Sequence, residues 1–143
     1  MILRLLSQMK LSVCILFIAF GCSAPEKKSA DESLKKGIIV LPPKDFKAEL
    51  SSASDAILID VRKPGELPDG IIKGAINIDF TGPEFSEKIA VLDKEKKYFV
   101  YCKSGKRSGD AVKQMEKAGF ENICTLEGGL KNWIDQGLET EKP

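Results

Sequence analysis

The sequence contains no histidine, and this absence narrows the possible chemistry more than any other feature of its composition. Without an imidazole there can be no Ser-His-Asp triad, no Cys-His pair and no histidine ligand for a metal. A catalytic group must then be a cysteine, a lysine, a carboxylate, a tyrosine or an array of backbone dipoles. Dinucleotide-binding and Walker glycine patterns are also lacking, so we expect neither a cofactor nor a metal.

The chain also lacks an excess of either charge, since 22 Lys and Arg against 21 Asp and Glu give a net charge of +1. Proteins that bind nucleic acid through its phosphates are usually strongly basic, so no nucleic-acid partner is expected. The 143 residues are 43% hydrophobic and 30% charged, which is typical of one globular domain rather than a disordered chain. We expect this domain to be a monomer.

One apolar run, Leu11–Phe20, lies near the N terminus and follows the basic residues Arg4 and Lys10. It is about half the length of the ~20 residues that a membrane-spanning helix needs. A basic start, a short apolar run and the small residues Ala19 and Gly21 predict a signal peptide over residues 1–21, and therefore export.

Two processing routes fit the end of this segment. Ala19 and Gly21 suit an ordinary signal peptidase, whereas Gly21-Cys22 resembles a bacterial lipobox in which Ala19 replaces the usual leucine. We favour the second route, in which Cys22 is lipidated and anchors a periplasmic protein to the membrane. By analogy with bacterial lipoproteins, Ser23 implies the outer membrane. The polar residues 22–36 show no periodicity and predict a tether.

From Gly37 onward, short apolar runs alternate with amphipathic segments. The predicted strands are Gly37–Leu41, Ala56–Val61, Ala75–Ile78, Lys97–Tyr101 and Asn122–Leu126, and the predicted helices are Lys44–Ser52, Glu84–Leu92, Arg107–Ala118 and Leu130–Gln136. The stretch Arg62–Gly74 is rich in Pro and Gly and is predicted to be a loop. This order predicts a single α/β domain over residues 37–143, with a mostly parallel five-stranded sheet flanked by helices on both faces.

One junction between a predicted strand and a predicted helix carries a nucleophile, in the sequence YCKSGKRS of residues 101–108. Ligands of parallel sheets bind at the carboxyl ends of strands, opposite helix N termini. A tight turn from Cys102 through Gly105 can aim amide N–H groups at one point, and Lys103, Lys106 and Arg107 add positive charge. Both effects favour a thiolate, so Cys102 is the candidate nucleophile. The alternative is an inert cysteine at a strand end.

Three segments resemble the signatures of rhodanese-like sulfurtransferases, in that family's order. YCKSGKRS is similar to the active-site loop Y-C-x-x-G-x-R-S, and residues 57–78 resemble the upstream D-V-R followed by G-H-I-x-G-A-x-N-I. LEGGLKNW, residues 126–133, resembles the closing G-G-x-x-x-W. The resemblance spans about residues 37–137 and departs from the family at Ile71, where a histidine is usual.

The resemblance implies a sulfurtransferase in which Cys102 takes a sulfane sulfur from a small anionic donor such as thiosulfate. The resulting persulfide would pass its sulfur to cyanide or a thiol. Amides of the loop would hold the persulfide, lysines would attract the donor, and hydroxyl groups would hydrogen-bond the loop or the sulfur. The residues expected to bind substrate in these ways are Lys103, Ser104, Gly105, Lys106, Arg107 and Ser108.

Arginine is rare after residue 21, where only Arg62 and Arg107 occur, and both lie in the motifs. Because lysine cannot replace the planar guanidinium fork, such positions point to specific geometry. We expect Arg107 to organise the loop and the substrate anion. We expect Arg62, with Asp60 and Glu66, to brace the neighbouring loop.

Other interpretations stay open at this point. A rhodanese-like domain can bind a partner or carry a persulfide without useful turnover.

Related Cys-dependent phosphatases and arsenate reductases have five residues between Cys and Arg, whereas only four residues, Lys103–Lys106, lie between Cys102 and Arg107 here. This shorter spacing disfavours phosphatase or arsenate reductase chemistry. Cys124, within the last predicted strand, is either a buried inert thiol or a resolving partner for Cys102.

Overall fold

The computed structural model describes residues 37–143. The predicted signal peptide, the tether and the candidate lipidation site Cys22 lie outside the described residues. Every helix within residues 37–143 is too short or too polar to serve as a membrane span.

The strands and α-helices of the described chain follow the order β-α-β-β-α-β-α-β-α, as the sequence predicts. The strands are β1 (Gly37–Leu41), β2 (Ile57–Asp60), β3 (Ile76–Asn77), β4 (Tyr98–Tyr101) and β5 (Asn122–Leu126), and the α-helices are α1 (Pro43–Ser52), α2 (Phe85–Ala90), α3 (Lys106–Lys117) and α4 (Gly129–Asp135). Their ends lie within two residues of the predicted ends, which is the usual uncertainty of helix and strand boundaries.

The stretch predicted as a plain loop contains a 3-10 helix over Pro64–Asp69, and this corrects the sequence-based expectation. Pro64 occupies the first turn, where its fixed φ is favourable and its missing N–H costs no hydrogen bond. The carboxylate of Glu66 accepts the backbone N–H of Lys63 at 3.2 Å, which caps the helix start.

The five strands form one sheet in the order β1-β5-β4-β2-β3, and each neighbouring pair is parallel. This confirms the predicted mostly parallel sheet. Strand β4 lies in the middle, between β5 and β2, and all of its residues are buried. The loop that follows β4 therefore begins at the centre of the carboxyl edge of the sheet.

Two apolar cores cover opposite faces of the sheet. Side chains alternate along β4, so Val100 joins one core and Phe99 the other. Helices α2 and α3 cover the first face, whereas α1 and α4 cover the second with Phe46 and Trp133. Helices thus flank both faces as predicted, and each fully buried aliphatic or Phe side chain contributes about 1.5–3 kcal/mol to folding.

Candidate active site

Cys102 directly follows β4, and the loop of residues 102–105 leads into α3. Gly105 takes a left-handed conformation, with φ of +92°, which turns its N–H back toward Cys102. This N–H donates to Cys102 Sγ at 3.1 Å, and the hydroxyl of Ser108 donates to the Gly105 carbonyl at 3.1 Å. Cys102 is completely buried. The loop thus aims one backbone N–H dipole at the buried sulfur.

Fewer backbone N–H groups contact the Cys102 sulfur than the sequence predicts. Within the described part of the chain, Gly105 alone among residues 103–107 donates a hydrogen bond to Cys102 Sγ. Lys103, Ser104 and Lys106 are exposed around the loop. The structure therefore brings the predicted loop residues together, with one amide on the sulfur.

The N terminus of α4 forms two backbone hydrogen bonds with the cysteine loop. The N–H of Leu130 donates to the Cys102 carbonyl at 2.8 Å, and that of Lys131 donates to the Lys103 carbonyl at 2.9 Å. The first N–H groups of a helix have no acceptor within the helix, so these bonds satisfy both partners. A Cβ at Gly129 would lie 2.5 Å from the Cys102 carbonyl oxygen, so this close approach requires glycine.

Arg107, in the first turn of α3, forms a two-bond ion pair with Glu66 of the 3-10 helix. Arg107 Nη1 lies 2.6 Å from Glu66 Oε2, and Nη2 lies 2.9 Å from Oε1. The hydrogen bonds from Arg107 hold the pKa of Glu66 at about 2, and the carboxylate raises the pKa of Arg107 in return. The sequence predicts that this guanidinium organises the loop and meets the substrate anion. In the structure both of its terminal nitrogens lie on the carboxylate of Glu66.

Asp60 and Arg62 form a buried ion pair beneath the same 3-10 helix. Arg62 Nη2 lies 2.6 Å from Asp60 Oδ2, and the two side chains are 2% and 1% exposed. Burial disfavours the charged guanidinium, but the hydrogen bonds and charge of Asp60 outweigh this effect and raise the pKa of Arg62. Arg62 also donates to the carbonyls of Glu66 at 3.1 Å and Gly70 at 2.8 Å. Arg62 thus touches Glu66 through its backbone, while the Glu66 carboxylate contacts Arg107.

A family model described as "Rhodanese-like domain" matches residues 42–136 of the chain. The chain belongs to the rhodanese-like domain family. YtwF of Bacillus subtilis (strain 168), which carries a sulfurtransferase name, is 34% identical over 88 residues that cover 62% of this chain and 82% of YtwF. Thiosulfate:glutathione sulfurtransferase of Saccharomyces cerevisiae (strain ATCC 204508 / S288c) is 30% identical over 94 residues, 58% of this chain and 68% of the yeast protein.

Solved structures show the same fold. The rhodanese-related protein from Thermoplasma volcanium matches with a TM-score of 0.65 and 33% identity, over 73% of this chain and 99% of that one. Some curated relatives are longer, and the chain covers 56% of one and 24% of another. Sulfurtransferases thus occur among the relatives of this rhodanese-like domain.

The departure from the family at Ile71 coincides with a contact that the sequence did not reveal. Ile71 is buried, and its backbone pairs in antiparallel fashion with Glu141, through N–H to carbonyl distances of 2.8 and 2.9 Å. Next to it, the N–H of Ile72 donates to the hydroxyl of Tyr101 at 3.1 Å. Burial raises the pKa of Tyr101, so this hydroxyl stays neutral. The C-terminal residues of the rhodanese-like domain therefore hold the loop between β2 and β3.

Cys124 lies on β5 and faces the α1 and α4 core, whereas Cys102 belongs to the core on the other face. Both thiols are free. Burial raises the pKa of Cys124, which keeps it a thiol. The two sulfurs thus belong to cores on opposite faces of the sheet, which favours the interpretation of Cys124 as a buried inert thiol over that of a resolving partner for Cys102. Residues 37–143 also hold no cluster of three or more acidic or cysteine side chains suited to a metal.

Proposed function

We propose that this rhodanese-like domain is a sulfurtransferase that moves a sulfane sulfur from thiosulfate, or a similar anion, to a thiophilic acceptor. The carrier of the sulfur is Cys102. The observation that carries the proposal is the N–H of Gly105 directed at Cys102 Sγ, 3.1 Å away, at the carboxyl end of the central strand. An N–H group in this position can hydrogen-bond the sulfur that attacks the donor and the sulfur of the resulting persulfide.

The reaction consists of two displacements at sulfur. The Cys102 thiolate attacks the outer sulfur of thiosulfate, whose S–S bond breaks, and sulfite leaves with the electron pair. A thiol acceptor then attacks the outer sulfur of the Cys102 persulfide, and Cys102 departs as a thiolate. The proton of the acceptor thiol ends on the persulfide product. Cyanide acts in the same second step and gives thiocyanate.

Charge near the loop supports an anionic donor. Lys103 and Lys106 are exposed beside Cys102 and make no ion pair with any residue that the structure describes. Such cations raise the local concentration of a dianion and its rate of association. Ser104 is exposed on the same turn, where its hydroxyl is free to hydrogen-bond the donor.

The Arg107–Glu66 pair supports sulfur transfer over phosphate chemistry. A guanidinium that binds a tetrahedral phosphate must direct two of its N–H groups to the ligand. The fork of Arg107 is occupied by the Glu66 carboxylate, at 2.6 and 2.9 Å. Together with four residues between Cys102 and Arg107, this contact disfavours a phosphatase or arsenate reductase.

Mass spectrometry of the intact protein tests the proposal. Incubation with thiosulfate should add the mass of one sulfur atom, and Cys102→Ser should lose this adduct while the matched variant Cys124→Ala keeps it. Thiocyanate formation from thiosulfate and cyanide then separates a turning-over enzyme from a persulfide carrier. If thiosulfate, polysulfide and small persulfides all leave the protein unmodified, the proposal fails.

Export and lipidation are proposals that rest on the sequence of residues 1–36. We infer that the protein is anchored to the bacterial outer membrane through a lipid on Cys22 and faces the periplasm. The mass of the native protein should then show cleavage before Cys22 with added acyl chains. A Cys22→Ala variant that stays in the membrane fraction would contradict the lipid anchor.

A further inference from the structure

Residues 138–142, which we call the C-terminal strap, cross from α4 to the segment that contains the 3-10 helix. At the α4 end, the indole N–H of Trp133 donates to the Glu139 carbonyl at 2.9 Å. Farther along, Glu141 and Ile71 exchange both of their backbone hydrogen bonds, at 2.8 and 2.9 Å. The strap therefore ties the helix on one side of the cysteine loop to the segment on its other side.

The strap packs closely against this segment. A Cβ added to Gly70 would lie 2.8 Å from the hydroxyl oxygen of Thr140, so the contact requires glycine there. The ammonium group of Lys142 donates to the Pro68 carbonyl. The strap lies beyond residues 42–136, which the family model matches, so the family match assigns it no role.

The 3-10 helix is held mainly by polar contacts, because none of its residues, Pro64–Asp69, is buried. Arg62 donates to the carbonyls at Glu66 and Gly70, and the strap holds the end that follows. Residues 139–142 of the strap are exposed as well. Segments with few buried apolar groups and exposed backbone hydrogen bonds open locally at the lowest free energy. The 3-10 helix and the strap are thus the parts beside the cysteine loop that open most easily.

A sulfur donor cannot contact Cys102 in this closed arrangement, because Cys102 is 0% exposed. On the α4 side, Leu130 and Trp133 are buried and resist displacement. On the other side, Arg107 joins the start of α3 to Glu66, and its pKa is raised by the hydrogen bonds with Glu66 and also by the charge of Cys102. The guanidinium is therefore within electrostatic reach of the sulfur, and the 3-10 helix lies on the side from which a donor can enter.

We propose that the C-terminal strap is a latch, whose release from Ile71 lets the 3-10 helix move away from the cysteine loop and admits the sulfur donor to Cys102. The inference rests on the proposed sulfurtransferase function and adds the movement that precedes its first displacement. Release is a local opening of backbone hydrogen bonds and involves no covalent step. Glu141 and Ile71 control access in this way and do not touch the reacting sulfurs.

Two substitutions at one position test the latch. Glu141→Pro removes the N–H that donates to the Ile71 carbonyl, whereas Glu141→Ala removes the same carboxylate and keeps both backbone bonds. Alkylation by iodoacetamide under native conditions, followed by mass spectrometry, reports Cys102 and Cys124 separately. In Glu141→Pro, Cys102 should react about three- to tenfold faster than in the wild type, as expected for one lost hydrogen bond, and in Glu141→Ala the change should stay within about twofold. Cys124, in the core on the other face of the sheet, should keep its slow rate in both.

Hydrogen exchange tests the latch in the unaltered protein. The amides of Ile71 and Glu141 should exchange well before those of β4, all of whose residues are buried. Exchange at Ile71 as slow as in β4 would overturn the latch. So would an unchanged Cys102 rate in Glu141→Pro, or equal acceleration at Cys102 and Cys124, which marks general destabilisation. Failure of thiosulfate to load Cys102 in the wild type and in Glu141→Pro would instead overturn the sulfurtransferase activity, and the alkylation rates would still decide the latch.

Discussion

The backbone N–H of Leu130 donates to the carbonyl oxygen of Cys102 at 2.8 Å, and through it the first turn of α4 supports the loop that carries the nucleophile. On the sulfur side, the same residue is held by the N–H of Gly105. Cys102 is thus fixed at its backbone and at its side chain by two different helix N termini. Such fixation is what keeps a reacting atom within the narrow tolerance of a displacement reaction.

Gly129→Ala should disturb this support. The added Cβ would lie 2.5 Å from the Cys102 carbonyl oxygen, at a residue whose φ is +62°. We expect a loss of about 1–3 kcal/mol in the free energy of unfolding and a fall of thiocyanate formation by about tenfold or more. Urea unfolding and the cyanide assay measure the two effects.

Gly109→Ala is the matched control, because a Cβ at this position of α3 meets no atom within 4 Å. Replacing glycine by alanine inside a helix should stabilise the protein by about 0.5–1 kcal/mol and leave the reaction rate unchanged. Similar effects of the two substitutions would contradict the role assigned to Gly129.

Glu66 should make stability depend on pH in the acid range. Its pKa is about 2 in the folded protein against an ordinary value of 4.5. Between these values the unfolded chain binds the extra proton, so the contribution of Glu66 is complete above pH 4.5 and is lost as the pH falls toward 2. In Glu66→Gln, the difference in unfolding free energy between neutral pH and about pH 3 should therefore be smaller than in the wild type.

Glu84→Gln provides the comparison for this experiment, since the Glu84–Lys88 pair is exposed on α2 and is screened by solvent. Its pH dependence should remain close to that of the wild type. If Glu66→Gln shows the full acid loss of the wild type, the Arg107–Glu66 pair does not stabilise the fold.

Asp60→Asn should be the most destabilising change near the site. It keeps the shape of the side chain but leaves the guanidinium of Arg62, which is 2% exposed, without its counter-charge. Removing one partner of a buried pair usually costs about 3–5 kcal/mol. Chemical denaturation measures this loss, and Asp110→Asn, which breaks the exposed pair with Lys113, should cost less than about 1 kcal/mol. A loss for Asp60→Asn as small as that of the control would refute the prediction.

Oxidation should not join the two cysteines of the folded domain. Cys102 and Cys124 face opposite sides of the sheet, and a disulfide requires their Cα atoms within about 7 Å and their Cβ atoms directed toward each other. A mild oxidant should therefore leave Cys124 as a thiol, as shown by mass after alkylation under denaturing conditions. A Cys102–Cys124 peptide in a non-reducing digest would show that the sheet opens.

Local patterns were sufficient for most of the fold. The apolar run YFVY of β4 and the helical spacing of Ala111, Val112 and Met115 in α3 each determine their own element, and the buried faces agree with it. The 3-10 helix over Pro64–Asp69 could not be predicted from local patterns. Its prolines and glycines suggest a turn, and its conformation depends on the guanidinium of Arg62, which binds the carbonyls of Glu66 and Gly70.

Some residues of the candidate site could likewise be predicted from local sequence, and others could not. Cys102 and Gly105 could be placed from the strand, turn and helix in which they occur. The pairing of Arg107 with Glu66 spans 41 residues and depends on how the loop after β2 folds back, which no local pattern encodes.

The backbone pairing of Glu141 with Ile71 has a practical consequence for protein production. Lys142 reaches the carbonyl of Pro68, so an affinity tag fused after Pro143 would begin alongside the segment that carries Glu66 and Asp69. Kinetic constants from such a fusion would include any influence of the tag on that segment. Enzymology on this protein is better done with material whose carboxyl terminus is left unmodified.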